Sequence, residues 1–254
     1  MFANKFKVAF ASLLIGVIPS IYAQNFKVVL DPGHGGKDTG ALYGKFVEKQ
    51  IVLDVALKVG DILKRDKDFK VVYTRKTDVF IEVAERTKIA NREKADVFVS
   101  IHINAAKNLS AYGAETYVMG VSKMASNLEV AKKENAAITL EDNYHVTYAG
   151  YDPNRPESLI GLTLIQEQFV TQSIDLASKI QTRFTNDVQR ENRGVKQGPF
   201  WVLHSALMPS ILIELGFISN KEEGTFLHSE EGKEQMAQAI AKAIIDYKKE
   251  NFVR

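Results

Sequence analysis

Residues 27–41 read K-V-V-L-D-P-G-H-G-G-K-D-T-G-A, and the rest of the chain is organised around this stretch. A short apolar run, Val28-Val29-Leu30, stops at Asp31-Pro32 and opens into a loop with four glycines around one histidine, His34. Short runs of this composition mark buried strands. Glycines at 33, 35, 36 and 40 permit backbone angles closed to other residues and let a partner approach the chain closely. A strand that delivers one histidine into such a loop suits a metal or an anion. In isolation, a tight surface turn would read the same way. A phosphate-cradling P-loop would end in Gly-Lys-Ser/Thr, and Gly36-Lys37-Asp38 stands here instead.

Outward from the loop, Val47, Ile51, Val55 and Val59 recur every four residues and Leu63 continues the stripe, which predicts a helix. Glu48 falls in its first turn, where a helix N-terminus favours a carboxylate. Residues 70–75 (K-V-V-Y-T-R) predict a second strand, and Asp78 an N-cap for a helix over 79–94. Residues 96–103, D-V-F-V-S-I-H-I, predict a strand with His102 at its end, and 113–119 another. From 121 to about 168, polar helix-prone stretches alternate with turn signals, which reads as an insertion. Periodicity returns at Val170, Ile174, Ala177, Phe184 and Val188. A short strand is expected at 199–203, a buried one at 210–217 carrying Glu214, and a closing helix through Met236, Ile240, Ile244 and Tyr247. Strands alternating with helices predict a single α/β domain: a mostly parallel mixed sheet flanked by helices on both faces, plus a helical regulatory insertion.

Residues 1–23 read as a separate unit. Lys5 and Lys7 precede the apolar run 8–18, and Pro19-Ser20-Ile21-Tyr22-Ala23 ends on a small residue, the pattern of a cleavable signal peptide cut after Ala23. About eleven apolar residues are too few to span a bilayer. The expected product is an exported or periplasmic domain, 24–254, with no membrane attachment after cleavage. Its formal charge of +2 falls to zero without Lys5 and Lys7, which removes the electrostatic case for nucleic acid. The absence of cysteine excludes disulfides, thiol catalysis and zinc ribbons, so a metal would need His, Asp and Glu.

His34, His102 and Glu214 each lie at or just beyond the end of a predicted strand. Ligands of open α/β sheets bind outside the carboxyl ends of the strands, so a parallel arrangement would gather all three on one edge, with Glu48 beside them. Two imidazoles, a carboxylate and an open fourth position make a catalytic zinc set, with the remaining carboxylate as general base.

The segments L-D-P-G-H-G-G-K-D-T-G-A, V-E-K-Q-I-V-L, V-Y-T-R-K-T-D, S-I-H-I-N-A-A and I-L-I-E-L-G-F-I-S-N occur in this order. Together they resemble the zinc-dependent N-acetylmuramoyl-L-alanine amidases, over almost the whole chain beyond the leader. The resemblance implies that His34, Glu48 and His102 bind zinc and that Glu214 is the catalytic glutamate. The implied reaction uses zinc-activated water to hydrolyse the amide between the lactyl group of N-acetylmuramic acid and L-alanine in peptidoglycan. Glu214 would act as base and then as acid.

The resemblance extends into the insertion, about 122–167. Cell-wall amidases that separate dividing Gram-negative cells carry an arm here, and V-A-K-K-E-N-A at 130–136 is similar to the arm motif whose glutamate plugs the zinc. By position that residue is Glu134, and an activator protein would dock on the arm. The apolar segment 159–169 (L-I-G-L-T-L-I-Q-E-Q-F) fits a docking helix or ordinary packing. His145 and His228 are expected to be exposed and uninvolved, and His204 to be structural or on the substrate rim. Arg75 and Arg86 suit buried structural pairing as well as substrate contact. The rival functions are a zinc peptidase or deacetylase on another wall amide, and a non-catalytic wall-binding or division scaffold.

Overall fold

The run Val28-Val29-Leu30 lies inside β1 (Phe26–Pro32), as its composition predicts. The computed structural model describes residues 25–120, 122, 124–148, 151–152 and 168–252. The signal peptide expected over 1–23 and the arm segment 159–167 lie outside them. After β1 the chain makes a small hairpin, β2 (Leu42–Tyr43) and β3 (Phe46–Val47), and enters α1 (Glu48–Leu63). It continues through β4 (Phe69–Tyr73), α2 (Val83–Glu93), β5 (Val97–Asn104) and β6 (Ala114–Met119). The insertion contributes α3 (Ala125–Asn135), a 3-10 turn (Ala136–Leu140) and α4 (Tyr144–Thr147). Then come α5 (Val170–Val188), β7 (Asn192–Gly198), α6 (Trp201–His204), β8 (Ser210–Phe217), α7 (Lys221–His228) and α8 (Glu230–Asn251).

The main sheet has the order β4-β1-β5-β8-β6-β7. β4, β1, β5 and β8 run parallel, and β6 pairs antiparallel with β8 and parallel with β7. Strand alternation sorts the side chains between two layers. Val28, Leu30, Val97, Val99, Ile101, Ile211 and Ile213 pack against α1, α5 and α8 on one face. Val29, Phe98, Leu212 and Tyr117 point to the other face, where Val83 of α2, Val130 of α3 and Trp201 of α6 cover them. Counting by twos along that second face passes from Phe98 through Ser100 to His102, from Leu212 to Glu214, and from Val29 to Asp31. The polar residues therefore follow from the same period that builds the core.

Two expectations are corrected. Asp78 does not cap a helix: α2 begins only at Val83, and Asp78 accepts hydrogen bonds from Gly36 N and Lys49 Nζ, both at 2.7 Å. Its carboxylate thus braces the glycine loop. The free N–H of Val83 is met instead by Glu141 Oε1 of the insertion, at 2.8 Å. Residues 199–203 are not a strand either. Trp201–His204 is a single helical turn, and the strand lies just before it as β7. Its sequence, N-R-G-V-K-Q-G, lacks apolar alternation because it is a sheet edge, where charge and glycine are tolerated.

Asp31 is fully buried and meets Arg86 Nη1 at 2.9 Å, Thr74 Oγ1 at 2.6 Å and Ser100 Oγ at 2.7 Å. Burial opposes its charge, but Arg86 and the two hydroxyls outweigh burial and hold the carboxyl below its usual range. A lowered folded-state value means that this contribution is complete above the unfolded value of about 3.9 and is lost as pH falls through the folded one. Asp31→Ala would leave Arg86 charged and unpaired, so urea unfolding at neutral pH should show a loss of about 3–5 kcal/mol. The gap from the unsubstituted chain should begin to narrow below about pH 4, where unfolded Asp31 takes up its proton, and stop narrowing once the native carboxyl is protonated as well.

Candidate metal centre and catalytic site

His34 stands directly beyond β1 with a left-handed backbone (φ 59°), an arrangement uncommon outside glycine. Two buried arginines hold it there. Arg75 donates from Nε to Pro32 O (2.9 Å) and from Nη2 to Gly33 O (2.6 Å). Arg86 donates to Pro32 O (3.0 Å) and His34 O (2.9 Å). Three successive carbonyls are thereby turned inward, and the imidazole projects towards the sheet edge. Burial beside Arg86 draws Arg75 down to about 10, which leaves it charged at neutral pH. Both arginines are structural here, one of the two roles expected for them.

The His34 ring is oriented by a residue the sequence reading did not single out. His34 Nδ1 donates to Asp38 Oδ2 at 2.8 Å, and Gly40 N donates to Asp38 Oδ1 at 3.1 Å. This leaves His34 Nε2 free to face the centre, the usual arrangement of a carboxylate behind a metal-binding imidazole. The signal was present in the spacing H-G-G-K-D, but a four-residue offset carries meaning in a helix, and this segment is a loop.

Glu48, 1% exposed, enters from the first turn of α1. Its Oε2 accepts from Ala41 N at 2.7 Å and its Oε1 from Ile103 N at 2.8 Å, so the carboxylate is fixed from both sides. A Cβ on Gly40 would lie 2.6 Å from both Glu48 Oε2 and His34 Cδ2, which explains the glycine. His102 projects from β5 with its ring flat against Gly33, where a Cβ would come within 2.3 Å of it.

The three ligand atoms converge. His34 Nε2 lies 3.1 Å from Glu48 Oε1 and 3.1 Å from His102 Nδ1, and His102 Nδ1 lies 3.3 Å from Glu48 Oε1. Glu134, from the last turn of α3, completes the group: its Oε2 is 2.8 Å from His102 Nδ1 and 3.3 Å from His34 Nε2. All four ligand atoms fall within 4.8 Å of one another. A tetrahedral ion with bonds of about 2.0–2.1 Å would space its ligands by about 3.3 Å, so the donor set fits a metal ion of that size. Among the described residues, Glu134 Oε2 is also buried without a well-aligned hydrogen-bond donor, as expected of a group that answers to a cation.

The electrostatics agree. Burial opposes protonation of both rings, yet Glu48, Asp38 and Glu134 push His34 well above the imidazole range, and Glu134 and Glu48 push His102 up to about 9. Burial likewise opposes ionisation of Glu48 and Glu134, but the two histidines hold both carboxyls below the usual range. The pocket favours positive charge between its carboxylates.

Glu214 sits in the adjoining strand, with its Cα in register with His102 on β5 and with Glu115 on β6. It is fully buried, and neither oxygen has a hydrogen-bond partner among the described residues. Burial, followed by the charges of Glu134, Glu48 and Glu115, pushes it well above the carboxylate range. Such a carboxyl has a high affinity for a proton at a dry site, the property a general base and acid needs. The remaining histidines stand apart from the metal group: His145 lies over Tyr144, His204 meets Trp201 edge to face, and His228 lies against Phe46.

A family profile described as N-acetylmuramoyl-L-alanine amidase matches residues 28–246. N-acetylmuramoyl-L-alanine amidase AmiA of Escherichia coli is 33% identical over 223 residues, covering 87% of this chain and 75% of that one. Among solved structures, amidase AmiC2 of Nostoc punctiforme superposes with a TM-score of 0.64 at 31% identity, covering 88% of this chain and 97% of its own. The CwlD amidase of Clostridioides difficile, solved in complex with the GerS lipoprotein, gives 0.66 at 26% identity, covering 89% and 100%. The profile spans the loop of His34, the strand of His102 and the strand of Glu214 alike, and this chain belongs to the N-acetylmuramoyl-L-alanine amidases, hydrolases of peptidoglycan.

Proposed function

We propose that this chain is a zinc amidase that releases stem peptides from peptidoglycan by cutting the bond between the lactyl group of N-acetylmuramic acid and L-alanine. His34, Glu48 and His102 would hold the metal, and Glu214 would move the proton. The observation that carries this reading is the convergence of His34 Nε2, Glu48 Oε1 and His102 Nδ1, each fixed by its own surroundings, beside an unpartnered Glu214. Two imidazoles with one carboxylate favour zinc over the hard, all-oxygen environments of magnesium or calcium. When bound, zinc supplies Lewis acidity, lowering the pKa of water and polarising a carbonyl. Glu214 takes the proton of the attacking water as the new C–O bond forms at the amide carbon. It returns that proton to the L-alanine nitrogen as the C–N bond breaks, so the carboxylate ends the cycle as it began. Residues 1–23 would direct export to the wall where the substrate lies.

Glu134 gives the arm a regulatory reading. It occupies the fourth position of the donor set, which a substrate or water would otherwise take. The arm that carries it is pinned at several points. Asn135 binds Pro199 O and Trp201 N, both at 2.9 Å, Tyr148 OH accepts from Ala84 N at 2.9 Å, and Val130, Ala131 and Ile138 are buried. An activator protein would have to favour the undocked arm by about 5.5 kcal/mol to carry it from one part in a hundred open to ninety-nine. The complex of the similar CwlD fold with a lipoprotein supports a protein partner. Among wall amidases, such control suits an enzyme of wall remodelling and daughter-cell separation.

Mass spectrometry of a purified peptidoglycan digest tests the chemistry. Intact stem peptides should appear with zinc and vanish on chelation, while cut crosslinks or released acetate would favour a peptidase or deacetylase. Glu214→Gln should lose about 10²–10⁴-fold in rate while retaining its metal, and unchanged turnover would remove Glu214 from the proton transfer. For the arm, Glu134→Ala should raise basal hydrolysis in the absence of any partner; equal or lower activity would refute the plug.

A further inference from the structure

A cleft of about 350 Å³ lies beside the proposed reaction centre and contains none of the four residues of the metal group. Asn104 forms part of its wall, two residues beyond His102 on β5 and therefore about 6.6 Å further along the same face. Glu115 forms another part, and its strand pairs it with Glu214. A second cavity, of about 490 Å³, has His34, Glu48, Ile103, Ala137 and Leu140 among its lining residues. The two cavities share Ala105 and Lys133, and Lys133 Nζ donates to Ala105 O where they meet. They adjoin as two limbs, with Ala105 and Lys133 on the wall of each and Glu134 on the wall of the second.

The limbs differ in chemistry. The second is walled largely by Ala, Ile and Leu side chains beyond the metal group itself. The first brings Lys107, Lys133, Arg193 and Lys196 together against two carboxylates, Glu115 and Glu129. Glu115 is 1% exposed and already committed: Asn104 Nδ2 donates to it at 3.0 Å, Tyr117 OH at 2.8 Å and Arg193 Nε at 2.9 Å, and Lys196 Nζ pairs with it directly. It acts as an anchor that holds two cationic heads at the cleft wall, with Arg193 also stacked on Phe217 at 4.8 Å. Lys107 is exposed and has no ion pair among the described residues. The cleft therefore offers cations in excess, one strand away from Glu214.

We infer that this basic cleft is the subsite for the peptide side of the substrate, and that Lys107, Arg193 and Lys196 select a free carboxylate on the residue following L-alanine. The inference rests on the amidase reading and adds the direction in which substrate lies: glycan in the apolar limb, acidic peptide in the basic one. The reach is consistent. One residue of extended chain spans about 3.3–3.6 Å, so that carboxylate falls about 7 Å from the scissile nitrogen. The strand of Glu115 lies about 4.8 Å from that of Glu214, and the cations stand just beyond.

The cleft is open with α3 docked, so binding can be read without turnover. Calorimetry on the full chain would compare L-alanyl-γ-D-glutamyl-L-lysine with the same peptide amidated at the glutamyl α-carboxyl. The free acid should bind at least about tenfold more tightly, and the preference should weaken with salt. Lys107→Gln and Lys196→Gln should each reduce the preference, and Lys196→Arg should keep it. Lys107 is exposed and has no hydrogen bond or ion pair among the described residues, so its substitution separates a loss of binding from a loss of fold. Equal binding of the two peptides, or variants that weaken both alike, overturns the inference. If neither peptide binds while stem peptides are still released from the wall, the cleft assignment fails and the amidase reading stands. If the zinc-loaded Glu134→Ala chain, with its plug removed, releases no stem peptides, the reading beneath it fails.

Discussion

Two buried guanidiniums, Arg75 and Arg86, gather the carbonyls of Pro32, Gly33 and His34, and the site depends on that clamp. Without it, the strained turn after β1 has no reason to prefer the conformation that aims His34 at the sheet edge. Each arginine supplies several donors in a rigid planar fork, and lysine in either place would leave carbonyls unsatisfied. Asp31 neutralises Arg86 from beneath, and Asp78 ties down Gly36 at the far side of the loop. The loop owes its shape to charge-assisted hydrogen bonds, with almost no apolar packing of its own.

The remaining site residues reach the same place through strand periodicity and pairing. Ser100, His102 and Asn104 alternate with Ile101 and Ile103, so the apolar residues enter one core layer while the polar ones face α2 and α3. Parallel pairing of β5 with β8 sets His102 beside Glu214, and antiparallel pairing of β6 sets Glu115 on its other side. The neighbours of the central carboxyl then divide the work. Glu115 is satisfied on both oxygens and held low, whereas Glu214 is left without a partner and pushed high. Two carboxylates in adjacent strands thus acquire opposite proton affinities from what surrounds them.

The insertion is joined to this centre by polar contacts as well as by packing. Glu141 and Tyr148 satisfy the first N–H groups of α2, the helix that carries Arg86. The arm therefore holds the start of the helix that clamps the His34 loop, and it also places Glu134 against His34 and His102. A movement of the arm would be felt at the centre twice, through the lost carboxylate and through the uncapped helix.

Much of this was legible in the chain itself. The apolar runs around Val28, Val99 and Ile213, the four-residue stripe of α1 and the glycines around His34 determine an α/β sheet with its histidines and Glu214 at strand ends, because burial and backbone sterics act locally and leave a periodic trace. Glu48 followed from its place at the start of the helix after β1, and the family motifs added Glu134. Tertiary structure alone decided that Asp38 orients His34, that Asp78 braces a loop instead of capping a helix, that β7 is a strand, and that Glu115 anchors the cations beside Glu214. Each of these is an electrostatic or edge relationship between residues distant in sequence or held in a loop. Such relationships have no period, so only the folded chain shows which charge meets which.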